Sequence, residues 1–170
     1  AGPDLVGCMN AYPIAVQGSV VQATGGQWSG GAGTWIGSGL SMQYMPTPAE
    51  ILAGGVDLTL TTSGNTTCPP ASDVLHLALS NSFLSAALAT TDALCHGTLD
   101  GTIVFSPAIP NFQYHWNDPL EQSTATAIGL VAGTYTVIAT DSLGCDTTLS
   151  AVIGQPQPLV VAQVNGSEVS

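Results

Sequence analysis

Apolar and polar residues alternate with a period of two along much of this chain. Val56-Asp57-Leu58-Thr59-Leu60-Thr61-Thr62 and Asp73-Val74-Leu75-His76-Leu77-Ala78-Leu79 each set an apolar face against a polar one, as a half-buried strand does. Shorter extended runs are Ile14-Ala15-Val16 and Ser19-Val20-Val21-Gln22-Ala23, and a Gly-dense stretch with two tryptophans runs from Gly25 to Trp35. Further along, strands are expected over residues 83–89, 101–105, 111–116, 125–130, 133–140 and 146–153. Asp100-Gly101, Asn117-Asp118-Pro119, Ala132-Gly133 and Asp141-Ser142-Leu143-Gly144 supply the turn chemistry between them. One helical turn is expected: Thr47 caps, Pro48 takes the first helical position, Glu50 completes a capping box and Gly54 terminates. Strands at this spacing, in units of about 80 residues, predict an all-β chain of two tandem immunoglobulin-like antiparallel sandwiches. The expected modules are residues 1–81 and 82–158. Residues 159–170 then form the start of a next module or a terminal strand, because Leu84 to Leu94 resembles Leu159 to Val169.

Composition narrows what such a chain can bind. The 170 residues include no lysine or arginine and eleven carboxylates, for a formal charge of -11. Internal ion pairs are therefore limited to what a histidine or a free amino terminus supplies. Most recognition of phosphate, nucleic acid and anionic lipid uses Lys or Arg, so no nucleic-acid partner is expected. No apolar run approaches the roughly 20 residues that span a bilayer, so no membrane insertion is expected either. Mean hydropathy is nonetheless +0.35, which sets the chain apart from disordered acidic tails. The chain begins Ala1-Gly2-Pro3-Asp4, which reads as a mature or excised piece of a longer protein.

Four cysteines allow three disulfide connectivities. Only Cys8–Cys68 with Cys95–Cys145 keeps each bridge inside one half, and that pairing is expected, one bridge per module. Each would close a loop of roughly 50–60 residues, worth about 3–4 kcal/mol in the chain-entropy picture. Zinc is the competing reading, but there is no CxxC and His76, His96 and His115 are scattered. Paired cysteines imply an oxidising, extracellular or cell-surface location.

In the second half, Cys95-His96-Gly97, Asp100-Gly101-Thr102-Ile103, Phe112-Gln113-Tyr114-His115-Trp116, Gly133-Thr134-Tyr135-Thr136-Val137, Thr140-Asp141-Ser142-Leu143-Gly144-Cys145 and Gln155-Pro156 follow in order. The set resembles the SprB-type repeat, an immunoglobulin-like or PKD-like module of large Bacteroidetes cell-surface adhesins, including gliding-motility adhesins exported by type IX secretion. The first half resembles a companion module through Cys8, Thr24 to Trp35, Tyr44, Pro48-Ala49-Glu50-Ile51, Gly55 to Leu60 and Cys68. Modules of this type usually carry some lysine, and this chain has none. Gly133-Thr134-Tyr135 reads as a tyrosine corner whose phenol bonds back to the backbone, and Trp116 as the central core tryptophan.

Candidate sites are few. Trp28 and Trp35 would suit a carbohydrate-stacking platform, against the plainer reading of core and edge packing beside a glycine-rich hairpin. Asp92, Asp100, Asp141 and Asp146 are candidates for calcium, which needs several oxygens converging at about 2.3–2.6 Å; otherwise they are solvated carboxylates. No other cofactor is expected. Asp141-Ser142-Leu143 and Asp146-Thr147-Thr148 resemble the Asp-Ser/Thr-apolar O-glycosylation sequence of exported Bacteroidetes proteins, at Ser142 and Thr147. No GxSxG, HExxH, P-loop or paired-acid motif occurs, and no enzymatic activity is expected. The resulting expectation is a structural repeat segment of a long extracellular adhesin, stalk or filament on a bacterial surface, its partners being neighbouring modules. The alternatives are a module binding surface glycans and a filament subunit that polymerises through residues 159–164 by strand addition.

Overall fold

The structure is a computed structural model that describes residues 1–108 and 111–161. It is all-β apart from one short helix and a 3-10 turn, and it divides into two compact units. Unit 1 comprises Ala1–Leu84 with Thr140–Asp146, and unit 2 comprises Ser85–Ala139 with Thr147–Ser170.

In unit 1 a four-stranded sheet runs in the order β1 (Leu5–Gly7), β7 (Ser72–Leu79), β6 (Gly55–Ser63), β3 (Gly25–Gly30). The second sheet has the order β2 (Ile14–Gln17), β5 (Ser41–Met45), β4 (Thr34–Ser38). Alternation decides what faces inward. Ile14 and Val16 of one sheet meet Trp28, Leu58, Leu60, Leu75, Leu77 and Leu79 of the other, with Tyr44 completing the core. Helix α1 (Pro48–Ala53) carries the expected capping box between Thr47 and Glu50, and Gly54 closes it at φ 85°. Two local readings differ. Residues 19–23 form no strand, because Gln22 takes a left-handed φ of 61° that extended backbone cannot hold. Strand β5, read as nothing in particular from Ser41-Met42-Gln43-Tyr44-Met45, is the central strand of its sheet.

Unit 2 contains β8 (Ala87–Thr91), β9 (Gly101–Ser106), β10 (Gln113–Trp116), β11 (Thr126–Leu130), β12 (Gly133–Thr140) and β13 (Asp146–Ile153). They form sheets β11-β9-β8 and β10-β12-β13. Strand β8 begins four residues later than the run at 83–89 suggests, since Leu84 donates to Asn81 in a turn. Ile103, Phe105, Tyr114, Trp116, Ala127, Leu130, Tyr135, Val137, Ala139 and Ile153 are buried, the inward-facing set of the alternating pattern. Trp116 is fully buried and its Nε1 donates to the Thr124 carbonyl at 2.8 Å. Tyr135 Oη donates to the Val131 carbonyl at 3.1 Å, which makes the tyrosine corner real.

The cysteines do not pair as expected. Cys8 is bonded to Cys145, with Cα atoms 5.4 Å apart at a sequence separation of 137, while Cys68 and Cys95 are exposed free thiols. Sheet register explains why. Strand β1 runs parallel to β7, and Gly7 lies beside Leu79 at the end of that strand. Cys68 sits in the loop before Ser72, so all of β7, roughly 26 Å at 3.3 Å per residue, separates it from Cys8. A disulfide tolerates Cα separations of only about 4.4–6.8 Å. The same holds for the other pair. Cys95 lies just after Ala93, which bonds to Gly154 beyond the end of β13, whereas Cys145 precedes the start of β13. Each expected bridge would have had to span a sandwich from pole to pole. The loop Thr140–Asp146 instead belongs to unit 1, and the bond to Cys8 lies within that unit.

Candidate functional site

The most densely connected polar group in unit 1 is the Glu50 carboxylate. Its Oε1 accepts from Ala32 N and Tyr44 Oη, both at 2.7 Å, and its Oε2 from Thr47 N at 2.7 Å and Thr47 Oγ1 at 2.9 Å. Burial alone would raise Glu50, but these donors outweigh it and hold the carboxyl below the usual range. Tyr44 accepts in turn from Gly33 N at 2.8 Å. Burial, together with the hydrogen bond to Glu50, pushes its phenol up to about 12. The glycines of this hairpin make room for that ring. A Cβ on Gly31 would collide with the Tyr44 hydroxyl, and one on Gly33 with the Met45 carbonyl.

Trp28 and Trp35 belong to the same cluster. Trp28 is 4% exposed, and its Nε1 donates to the Leu40 carbonyl at 3.1 Å. Trp35 is half-buried, stacks on Trp28 with centroids 6.0 Å apart, and meets Tyr44 at 4.8 Å. Trp28 has no open face for a sugar, while Trp35 keeps part of its surface exposed. Trp28 is thus a core residue, and Trp35 packs on it from the edge of the glycine-rich hairpin.

The candidate calcium carboxylates are occupied largely with backbone. Asp92 accepts from Gly154 N at 2.8 Å, and Asp100 from Thr98 Oγ1 at 2.6 Å and from Leu94 N. Asp141 is buried; it accepts from Leu143 N and Cys145 N, each at 2.9 Å, and from Ser80 Oγ at 2.6 Å. Asp146 is exposed at the start of β13. Among the described residues no group of three or more His, Cys, Asp or Glu side chains is arranged to hold a metal. Pattern reading passes over Asp118, the second buried carboxylate among the described residues. It accepts from Leu120 N, Gln122 N and Gln122 Nε2 at 3.1, 2.9 and 3.0 Å. Burial would raise it, yet those donors leave its carboxyl below the ordinary value. Its turn sequence, Asn117-Asp118-Pro119, was the available signal.

The ionic contacts among the described residues involve the amino terminus and a histidine. The Ala1 amino group meets Asp73 at 2.6 Å, and His76 Nδ1 meets Asp57 at 2.7 Å. Ser142 is exposed in the Thr140–Asp146 loop, and Thr147 is partly exposed in β13. Residues 162–164 of the proposed polymerising strand lie outside the described residues; Leu159, Val160 and Val161 are exposed. No described helix is long and apolar enough to cross a membrane.

Two all-β sandwich units, with their polar side chains turned to backbone donors, define the class of protein. No family model matches the chain. No curated protein matches it either. Among solved structures it is similar to chicken VE-cadherin EC1-2, at 10% identity and TM-score 0.36, over 91% of this chain and 98% of that one. It is also similar to protocadherin gamma B2 extracellular cadherin domains 3–6, at 6% identity and TM-score 0.38, over 91% of this chain and 46% of that one.

Proposed function

We propose that this chain is a non-enzymatic structural segment of a long extracellular adhesin, stalk or filament on a bacterial surface, of the SprB-type kind its motifs resemble. The observation that carries this reading is where the motif residues go. Trp28, Trp35, Tyr44 and Glu50 form one internal corner of unit 1, and in unit 2 Trp116, Asp118 and Tyr135 each bond within the unit, to Thr124, Gln122 and Val131. Trp28 and Trp35, the aromatic pair that a glycan platform would use, pack against each other and Tyr44 inside unit 1. What faces solvent is neutral and acidic, and without Lys or Arg it offers trypsin-like proteases no cleavage site. Such a surface suits a segment whose work is reach and display, with its partners being neighbouring modules.

Immunogold labelling of intact producing cells with antibody against this chain tests the reading. Gold standing off the cell envelope, along fibres, is the expected result. Gold confined to the cytoplasm would overturn it, and saturable quenching of tryptophan fluorescence by a surface glycan would replace display with binding.

A further inference from the structure

The four cysteines follow one layout used twice. Cys8 comes directly after the opening strand of unit 1, where Gly7 accepts from Ser80 N just past the end of the last strand, β7. Cys95 comes two residues after Ala93, which bonds to Gly154 just past the end of the last strand of unit 2, β13. Each opens a turn of the same kind: Ala11 N donates to the Cys8 carbonyl at 3.0 Å, and Thr98 N to the Cys95 carbonyl at 3.3 Å. The other two cysteines also correspond. Cys68 lies in the loop joining β6 to β7, and Cys145 in the loop joining β12 to β13, the last two strands in each case. Each loop is headed by an Asx residue whose carbonyl closes a turn at 3.1 Å, Asn65 to Cys68 N and Asp141 to Gly144 N.

The bond that exists joins an opening cysteine, Cys8, to a hairpin cysteine, Cys145, whose loop belongs to unit 1. What remains free is one of each kind: a hairpin cysteine, Cys68, and an opening cysteine, Cys95, both exposed. We infer that Cys68 and Cys95 are the two ends of a head-to-tail disulfide chain, each taking the complementary cysteine of another module of this kind. A second copy of this chain supplies both, through Cys95 of one copy and Cys68 of the next. The surface around Cys95 fits such an occupant. It is a groove of about 430 Å³ lined by Leu94, His96, Pro156, Pro158 and Leu159, with Leu94 and Leu159 exposed. A hairpin loop carrying a cysteine would cover that apolar rim as it brought its thiol up.

Formation of the bond releases two protons and two electrons, and an external disulfide accepts the electrons. One cysteine thiolate attacks that disulfide and expels the first small thiolate. The second cysteine then attacks the mixed disulfide and expels the other, so one external disulfide becomes two thiols for each Cys68–Cys95 bond made. The inference rests on reading the chain as a repeat segment. A cross-link formed by a chain that labelling places inside the cell would sink only the surface reading; free thiols in a chain on surface fibres would sink only the linkage.

The test is oxidation of the purified 170-residue chain with oxidised glutathione, followed by non-reducing electrophoresis and peptide mapping after digestion at acid pH. The expected result is a ladder of dimer, trimer and higher species that collapses to monomer with dithiothreitol, and that contains linked Cys68 and Cys95 peptides. Cys68→Ser and Cys95→Ser each lose the ladder alone, and an equimolar mixture of the two stops at dimer. Both positions are exposed, and unchanged tryptophan fluorescence verifies that the variants fold. The inference is overturned by thiols that stay free, by dimers linked Cys95–Cys95 or Cys68–Cys68 in either variant alone, or by Cys8–Cys68 and Cys95–Cys145 peptides in the monomer.

Discussion

Units 1 and 2 solve one problem by two routes. Each holds a carboxylate away from bulk water in a chain that has no Lys or Arg to pair with it. Unit 1 satisfies Glu50 with donors from three separate places: the helix cap at Thr47, the β3–β4 hairpin at Ala32, and Tyr44 on β5. Unit 2 satisfies Asp118 locally, from within the turn that Asp118 itself heads. The difference is one of range. Glu50 ties distant segments together and so reports on the tertiary fold, while Asp118 shapes one loop. In both cases dispersed N–H and O–H dipoles do what a single cation does elsewhere, without the desolvation penalty of burying a second charge.

The sharpest way to break the comparison is to remove the core of one unit and leave the other intact. Trp116→Ala deletes a fully buried indole and orphans the Thr124 carbonyl. Unit 2 is expected to lose about 3–5 kcal/mol. Hydrogen exchange at β9 and β12 amides, with denaturant titration, measures it; a loss under 1 kcal/mol would mean that Trp116 does not organise this core.

Next in size is Glu50→Ala, expected to destabilise unit 1 by roughly 2–3 kcal/mol, because it leaves the Ala32 and Thr47 amides and the buried Tyr44 hydroxyl without their acceptor. Glu50 also predicts a pH dependence. Its pKa is lower folded than unfolded, so its contribution is present above the ordinary carboxylate range and is lost as pH falls through the lowered value. Tyr44 acts at the other end. With a folded value of about 12, its contribution is intact below about pH 10 and is lost as pH rises from there through 12. Tyr44→Phe is expected to shrink the alkaline component, which Tyr12 shares, and Glu50→Gln the acid one, which Asp118 shares; unchanged profiles in urea titrations across pH would contradict both. Asp118→Asn should cost less, about 1–2 kcal/mol, since an amide can still accept from one N–H but turns a donor toward the others. If Asp118→Asn proves as costly as Glu50→Ala, the distinction between long-range and local satisfaction fails.

Much of this was legible in the chain, for identifiable reasons. Strands β6, β7 and β12 follow from period-two alternation, and α1 from Thr47, Pro48, Glu50 and Gly54, because those signals are local. The tyrosine corner and Trp116 were readable for the same reason. Strand β5 was missed because Ser41, Met42, Gln43 and Met45 carry weak strand preference; its place is set by pairing with β2 and β4 on either side. The cysteine pairing was misread for a deeper reason. Proximity in sequence says which cysteines share a half, but not which pole of a sandwich each loop reaches, and it is the pole that decides. The partner of Glu50 at Ala32 was hidden likewise, since the β3–β4 hairpin reaches it from 18 residues away, and Tyr44 was hidden with the strand β5 that carries it.

The smallest expected effect tests the tyrosine corner against the Tyr44 network. Both phenols are buried among apolar side chains, but they bond differently: Tyr44 to a carboxylate and an amide, Tyr135 to the Val131 carbonyl, four residues upstream. Tyr135→Phe keeps the ring and removes one neutral hydrogen bond, for an expected loss of about 1 kcal/mol. Tyr44→Phe should exceed it, because a hydrogen bond to a charged group contributes about 1.5–3 kcal/mol and the substitution also strips Gly33 N of its acceptor. Equilibrium denaturation of the two variants under one buffer condition ranks them. A larger loss at Tyr135 would mean that the corner braces more of unit 2 than its single bond indicates, and would reverse the assignment of long-range work to Tyr44 and Glu50.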